Sequence, residues 1–169
     1  PFIAGWAKPG KANSFTIAEN KVHHQQIGTV MDIYATILDA TGTENPSNHT
    51  IDGVSLIPQL EGKINLGRPD HFLCHFPHSH RSSYFTTYRK GDWKLIYRYP
   101  INPGKNPLPQ HELYNLRVDP YEKFNLADTK SQKRHAMVKG MIAQLEQENA
   151  LVATNNKKDL LKPVLPSGK

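Results

Sequence analysis

Four short apolar runs, each closed by turn-forming residues, occupy residues 71–118, and they constrain the fold more than any other feature of the sequence. The runs cover residues 71–76, 84–89, 92–99 and 112–118. Each has the length of a strand, about four to eight residues, rather than of a helix. Lys90-Gly91 joins the second run to the third, and Gly is free to take the positive φ that tight hairpins use. In the third run Trp93, Leu95, Tyr97 and Tyr99 share one face of a strand, while Lys94, Ile96 and Arg98 share the other. The first face is expected to pack on a core. Residues 100–109 contain four prolines and read as a loop, because proline cannot donate to a strand ladder. Asp119-Pro120 stops the fourth run. Strands this close in sequence pair as antiparallel neighbours.

The flanks are helical. Asp128 or Thr129 can cap a helix to about residue 149, whose apolar stripe is Met137, Val138, Met141, Ile142 and Leu145. One stripe suits one face of the sheet. Upstream, Ile27, Val30, Met31, Tyr34, Ile37, Leu38 and Thr41 recur at three- and four-residue steps. This spacing predicts an amphipathic helix over 27–40, with Gly42 as its left-handed terminator. Residues 2–7 read as a buried strand closed by Lys8-Pro9-Gly10, and Ser55 can cap a short helix through Leu60. The expected fold is α+β: a four-stranded antiparallel sheet with a C-terminal helix packed on one face, preceded by a strand–helix remnant of a larger α/β domain. That strand and helix have no second parallel strand to pack beside. Three regions follow: 1–66 as the edge of the larger domain (strand, helix, short helix), 67–150 as the antiparallel subdomain with its helix, and 151–169 as a flexible tail.

Composition narrows the function classes. The 169 residues carry a net charge of +6, which favours anionic partners such as sulfated sugars, nucleic acid or anionic lipid. The basic residues are dispersed, so no nucleic-acid partner is expected. No apolar run approaches the roughly 20 residues of a membrane span. The hydrophobic share of 37% is low for a compact domain, which fits disordered stretches or a chain that relies on surface from a missing partner segment. Cys74 is the only cysteine, so no disulfide forms within the chain. Asn48-His49-Thr50 matches a glycosylation sequon, a pattern short enough to arise by chance.

Five stretches then recur in a familiar order. They are Pro1-Phe2-Ile3 with Trp6 and Pro9-Gly10; Met31-Asp32-Ile33-Tyr34-Ala35-Thr36-Ile37-Leu38 closing at Gly42; Ile51-Asp52-Gly53-Val54-Ser55-Leu56-Ile57-Pro58 with Leu60 and Gly62; Arg89-Lys90-Gly91-Asp92-Trp93-Lys94-Leu95-Ile96; and Glu112-Leu113-Tyr114-Asn115-Leu116 running through Asp119-Pro120 to Asn125-Leu126-Ala127. In sequence and order they resemble the C-terminal third of type I sulfatases, of the alkaline phosphatase superfamily. Ala35 stands where that family usually has Pro, and Ala continues a helix more readily. Most of these residues set turns or core positions rather than chemistry.

The resemblance implies a sulfuric ester hydrolase acting on a sulfated small molecule or glycan. It makes residues 1–66 the edge of the catalytic domain. It implies a formylglycine made from Cys or Ser in a Cys/Ser-x-Pro/Ala-x-Arg motif, a calcium held by Asp and Asn, and export to the periplasm, lysosome or outside. None of those catalytic motifs falls in this chain. Cys74 is followed by His75-Phe76-Pro77-His78 with no Arg four residues on, and no Asp-Asp or Asp-Asn pair occurs. The chain is therefore expected to hold no catalytic residue, no metal ligand and no cofactor of its own, and to be inactive without the N-terminal catalytic part of the same protein. Two alternatives stand beside this reading: a phosphonate or phosphate ester hydrolase of the same superfamily, and a free-standing, non-catalytic anion- or glycan-binding module.

One dense cluster remains. Residues 71–81 carry four histidines and an arginine, and alternation puts His71, Leu73 and His75 on one strand face. Many sulfatases have a His-aromatic-Pro-His stretch near the pocket mouth. By that resemblance His75 and His78 contact the sulfated substrate, with His80 and Arg81 on the rim. An imidazole N–H or a guanidinium fork can hold a sulfate oxygen. Ordinary strand and loop histidines are an equal reading, and a zinc site is a third, although no second paired motif accompanies it.

Overall fold

The computed structural model describes residues 3–11, 13–20, 26–78, 84–100, 108–155 and 157–166. They form two compact units, Pro1–Asp70 and His71–Lys169.

The second unit holds the four strands, β1 (His71–Phe76), β2 (Phe85–Lys90), β3 (Trp93–Arg98) and β4 (His111–Asn115). They pair antiparallel in the order β1-β2-β3-β4. Gly91, at φ 55°, makes the β2–β3 turn, and the register Lys90↔Trp93 follows from it. β4 is shorter than the expected run because Asn115 turns the chain: its carbonyl accepts the N–H groups of Val118 and Asp119, and its Oδ1 accepts that of Arg117. Helix α3 (Ser131–Gln147) starts later than the expected caps. Its N-cap is Lys130, with no side-chain cap, while Asp128 pairs with Arg134.

The core lies between α3 and one sheet face. Met137, Val138, Met141 and Leu145 meet Tyr88, Leu95, Tyr97, Tyr99 and Leu113, with Ile142 and Trp93 packed at its margin. The stripe and face read from the sequence are the ones that are buried. The expected flexible tail instead contains a two-stranded ladder, β5 (Ala153–Thr154) against β6 (Leu160–Leu161). Ala153 is buried, and Val164 N–H donates to the Tyr97 hydroxyl at 3.1 Å.

The first unit is helix α1 (Asp32–Thr41), the short α2 (Ile57–Leu60) and the loops around them. Residues 27–31 are not helical, because the Asp32 carboxylate takes the Thr29 N–H at 2.6 Å and closes a turn ahead of α1. Asp32 also receives Val54 N–H at 2.8 Å and Arg68 at 2.9 Å. Burial pushes its carboxyl up, but the N–H groups of Val54 and Thr29 and the Arg68 guanidinium outweigh that and hold it below the usual carboxylate value. Ser55 does not cap α2 in the expected way; α2 begins after Leu56, and Ser55 Oγ accepts Ile57 N–H. No strand forms over residues 3–7, where Ile3 is exposed, because a strand needs a hydrogen-bonded neighbour.

Candidate functional site

β1 is an edge strand, and His75 lies on its α3-facing side, opposite Thr86. Both ring nitrogens are used. Nε2 lies 2.7 Å from the Leu151 carbonyl, and Nδ1 lies 2.7 Å from Thr86 Oγ1. A carbonyl only accepts, so Nε2 carries the proton. In the neutral ring the Thr86 hydroxyl then donates to Nδ1, and its oxygen accepts from the Tyr99 hydroxyl at 3.0 Å. Burial raises the Tyr99 phenol above its ordinary value, so Tyr99 keeps the proton it donates. The His75 ring also meets Tyr99 edge-on. This chain of bonds ties β1 to the segment that follows α3. A sulfate approaching His75 would have to displace one of these bonds.

His78 is arranged differently. Beyond Pro77 the chain leaves the sheet, and the exposed His78 ring sits 5.6 Å from Phe76. Phe76 points to the face opposite His75, and stacks on Phe85. The structure therefore does not bring His75 and His78 together. His80 and Arg81 lie outside the described residues. His71 packs by Tyr88. Cys74 is a free thiol on the Phe76 side, opposite Thr87.

Among the described residues no three His, Cys, Asp or Glu side chains cluster to hold a metal. Four of the acids are engaged elsewhere. Asp32 pairs with Arg68, Glu112 with Arg98, Glu122 with Lys94, and Asp119 caps a turn. These residues do not fit a calcium shell. Sequence reasoning missed the bonds from His75 to Leu151, and from Arg68 to Asp32, because each partner is distant in sequence and carries no motif.

The comparisons give this arrangement its context. The family model described as N-sulphoglucosamine sulphohydrolase, C-terminal, matches residues 14–150. N-acetylgalactosamine-6-sulfatase of Homo sapiens is 27% identical over 172 residues, 90% of this chain and 31% of that protein. The Rattus norvegicus protein of the same name is 41% identical over 70 residues, 41% of this chain and 12% of that protein. The solved structure of BT4656 in complex with its substrate D-glucosamine-2-N,6-O-disulfate aligns with a TM-score of 0.52 at 27% identity, over 70% of this chain and 24% of that one. The chain spans under a third of the length of each.

Proposed function

The chain belongs to the family of C-terminal sulfatase domains described by N-sulphoglucosamine sulphohydrolase, and from that membership we propose that it serves a sulfuric ester hydrolase as scaffold and as one wall of the substrate pocket. The observation that carries the reading is the family match across residues 14–150. The nucleophile, as formylglycine, and the calcium belong in this reading to an N-terminal catalytic part. Residues 1–66 form the edge of that part. The outward face of α1 supports this: Ile33, Tyr34 and Ile37 follow a helical stripe, yet each is exposed. A stripe of that kind suits packing by further polypeptide.

Within the pocket wall, His78 offers an imidazole N–H to a sulfate oxygen, and His80 and Arg81 are further candidates for contact with the sulfated substrate by the chemistry of their side chains. His75 acts as a positioning residue. Its two bonds fix the end of β1, from which the His78 loop departs. The substrate class is a sulfated small molecule or glycan, met in the periplasm, a lysosome or outside the cell. Among the described residues no helix is long and apolar enough to cross a membrane.

The test has two parts. The 169-residue chain alone is expected to show no aryl sulfate turnover, with or without calcium. In the full-length protein, His78→Ala is expected to lower kcat/KM on the sulfated substrate about tenfold with Tm unchanged, the loss of roughly one charge-assisted hydrogen bond. Turnover by the pure chain, or unchanged kinetics in the variant, would remove the reading.

A further inference from the structure

At the end of the sheet away from His78, the turn after β4 holds its polar groups inward and shows its large apolar groups to water. The Asp119 carboxylate accepts the N–H groups of Lys123 and Phe124 at 3.1 and 2.9 Å. Glu122, at φ 55°, reaches Lys94 Nζ at 2.7 Å. Asn125 Oδ1 accepts the N–H groups of Leu113 and Ala127. The turn is thus pinned by its own acids and amides. Outside it stand Tyr121 and Phe124, 81% and 70% exposed, and Arg117 and Lys123 of the same 116–124 segment are exposed as well.

Single exposed apolar residues are ordinary. Here aromatic rings and cations alternate. Lys123 Nζ lies 5.6 Å from the Tyr121 ring centre, and Lys133 Nζ on α3 lies 5.2 Å from that of Trp93. Trp93 pairs with Asn115, the residue that opens the turn, and Leu116 N–H bonds Asp92 O, so turn and Trp93 adjoin. Arg117, Lys123 and Lys133 are in no salt bridge among the described residues, although the Lys123 charge acts on the nearby Asp119 carboxylate.

We propose that this surface binds a sulfated polysaccharide chain, away from the pocket wall. The flat apolar face of a sugar ring stacks on an exposed aromatic, and the sulfates meet lysine and arginine beside it. A pinned turn presents these groups with little ordering left to lose on binding. The six-residue strands separate this surface from the His78 end by about 17 Å, a distance that a polymer bridges and a single sugar does not. The choice of sulfate over other anions rests on the sulfatase reading; the surface itself does not.

The test is binding, without turnover. Heparin, linear polyphosphate and single-stranded DNA are each titrated into the protein at about 0.15 M salt. The variants are Arg117→Ser/Lys123→Ser/Lys133→Ser and Tyr121→Ser/Phe124→Ser, with circular dichroism to show that each remains folded. The charge variant is expected to bind heparin about tenfold more weakly. The aromatic variant is expected to lose about fivefold for heparin and nothing for polyphosphate, which has no ring to stack. Unchanged heparin affinity in either variant overturns the proposal, as does equal loss for polyphosphate in the aromatic one. Tighter binding of DNA than of heparin by the unaltered protein would make the surface a nucleic-acid site instead. A full-length protein without sulfatase activity would sink the enzyme reading and leave this binding result standing.

Discussion

At the scale of the residue, hydrogen bonding and burial decide which groups titrate normally. On β4 the Glu112 carboxylate accepts both Arg98 and the Tyr114 hydroxyl, at 2.6 and 2.7 Å. Burial, and then the Glu112 bond and charge, push the Tyr114 phenol up to about 12. A folded pKa above the unfolded one means that this contribution is complete below the ordinary tyrosine value, near 10, and is lost as pH rises through 12. Stability to urea is therefore expected to fall across that window. Ultraviolet titration should find one phenol ionising near the upper end, and Glu112→Gln should bring it down. A Tyr114 midpoint near 10 would contradict the geometry. Asp119 runs in the opposite direction. The N–H groups of Phe124 and Lys123 hold its carboxyl below the usual value, so its capping persists above the ordinary aspartate range and is lost as pH falls through the lower folded value. Gly53 is fixed by space alone. A Cβ there would lie 2.2 Å from the Met31 carbonyl oxygen, where backbone cannot give way.

At the scale of the element, α3 and α1 bury opposite kinds of residue. α3 presents a conventional stripe, and Met141 at its centre is fully buried against the sheet. Met141→Ala is expected to cost about 2–5 kcal/mol, read as a lower urea midpoint at unchanged slope. A loss under about 1 kcal/mol would mean that the helix is not seated as described. α1 buries Asp32 and leaves Ile33, Tyr34 and Ile37 in water. What fixes it is the Asp32–Arg68 pair, with both side chains 4% exposed. Arg68 also donates to the carbonyls of Ile27, Val54 and Ser55. Removing one partner of such a pair strands the other charge, so Arg68→Ala is expected to cost the first unit about 3–5 kcal/mol.

At the scale of the whole molecule, the two compact units set where that loss appears. Limited proteolysis of the Arg68→Ala protein should cut within residues 29–70 while His71–Lys169 stays resistant, because the second unit has its own core. Simultaneous loss of both would show that one cooperative unit spans the chain. Much of the second unit is legible in the sequence. Alternation exposed the Leu95–Tyr97 face, Gly91 marked the hairpin, and the 137–145 stripe named its cover, since each is a local consequence of backbone period or of a missing Cβ. The periodicity of α1 was equally legible, but not its burial: period reports which side is apolar, not what meets it. Only the tertiary structure gave His75 its partners, because Leu151 lies 76 residues away and offers a backbone carbonyl, which every residue has. It alone also ordered the tail, where two-residue strands are too short to leave a pattern. Local geometry is written in neighbouring side chains, whereas a contact across the fold depends on where both elements come to rest.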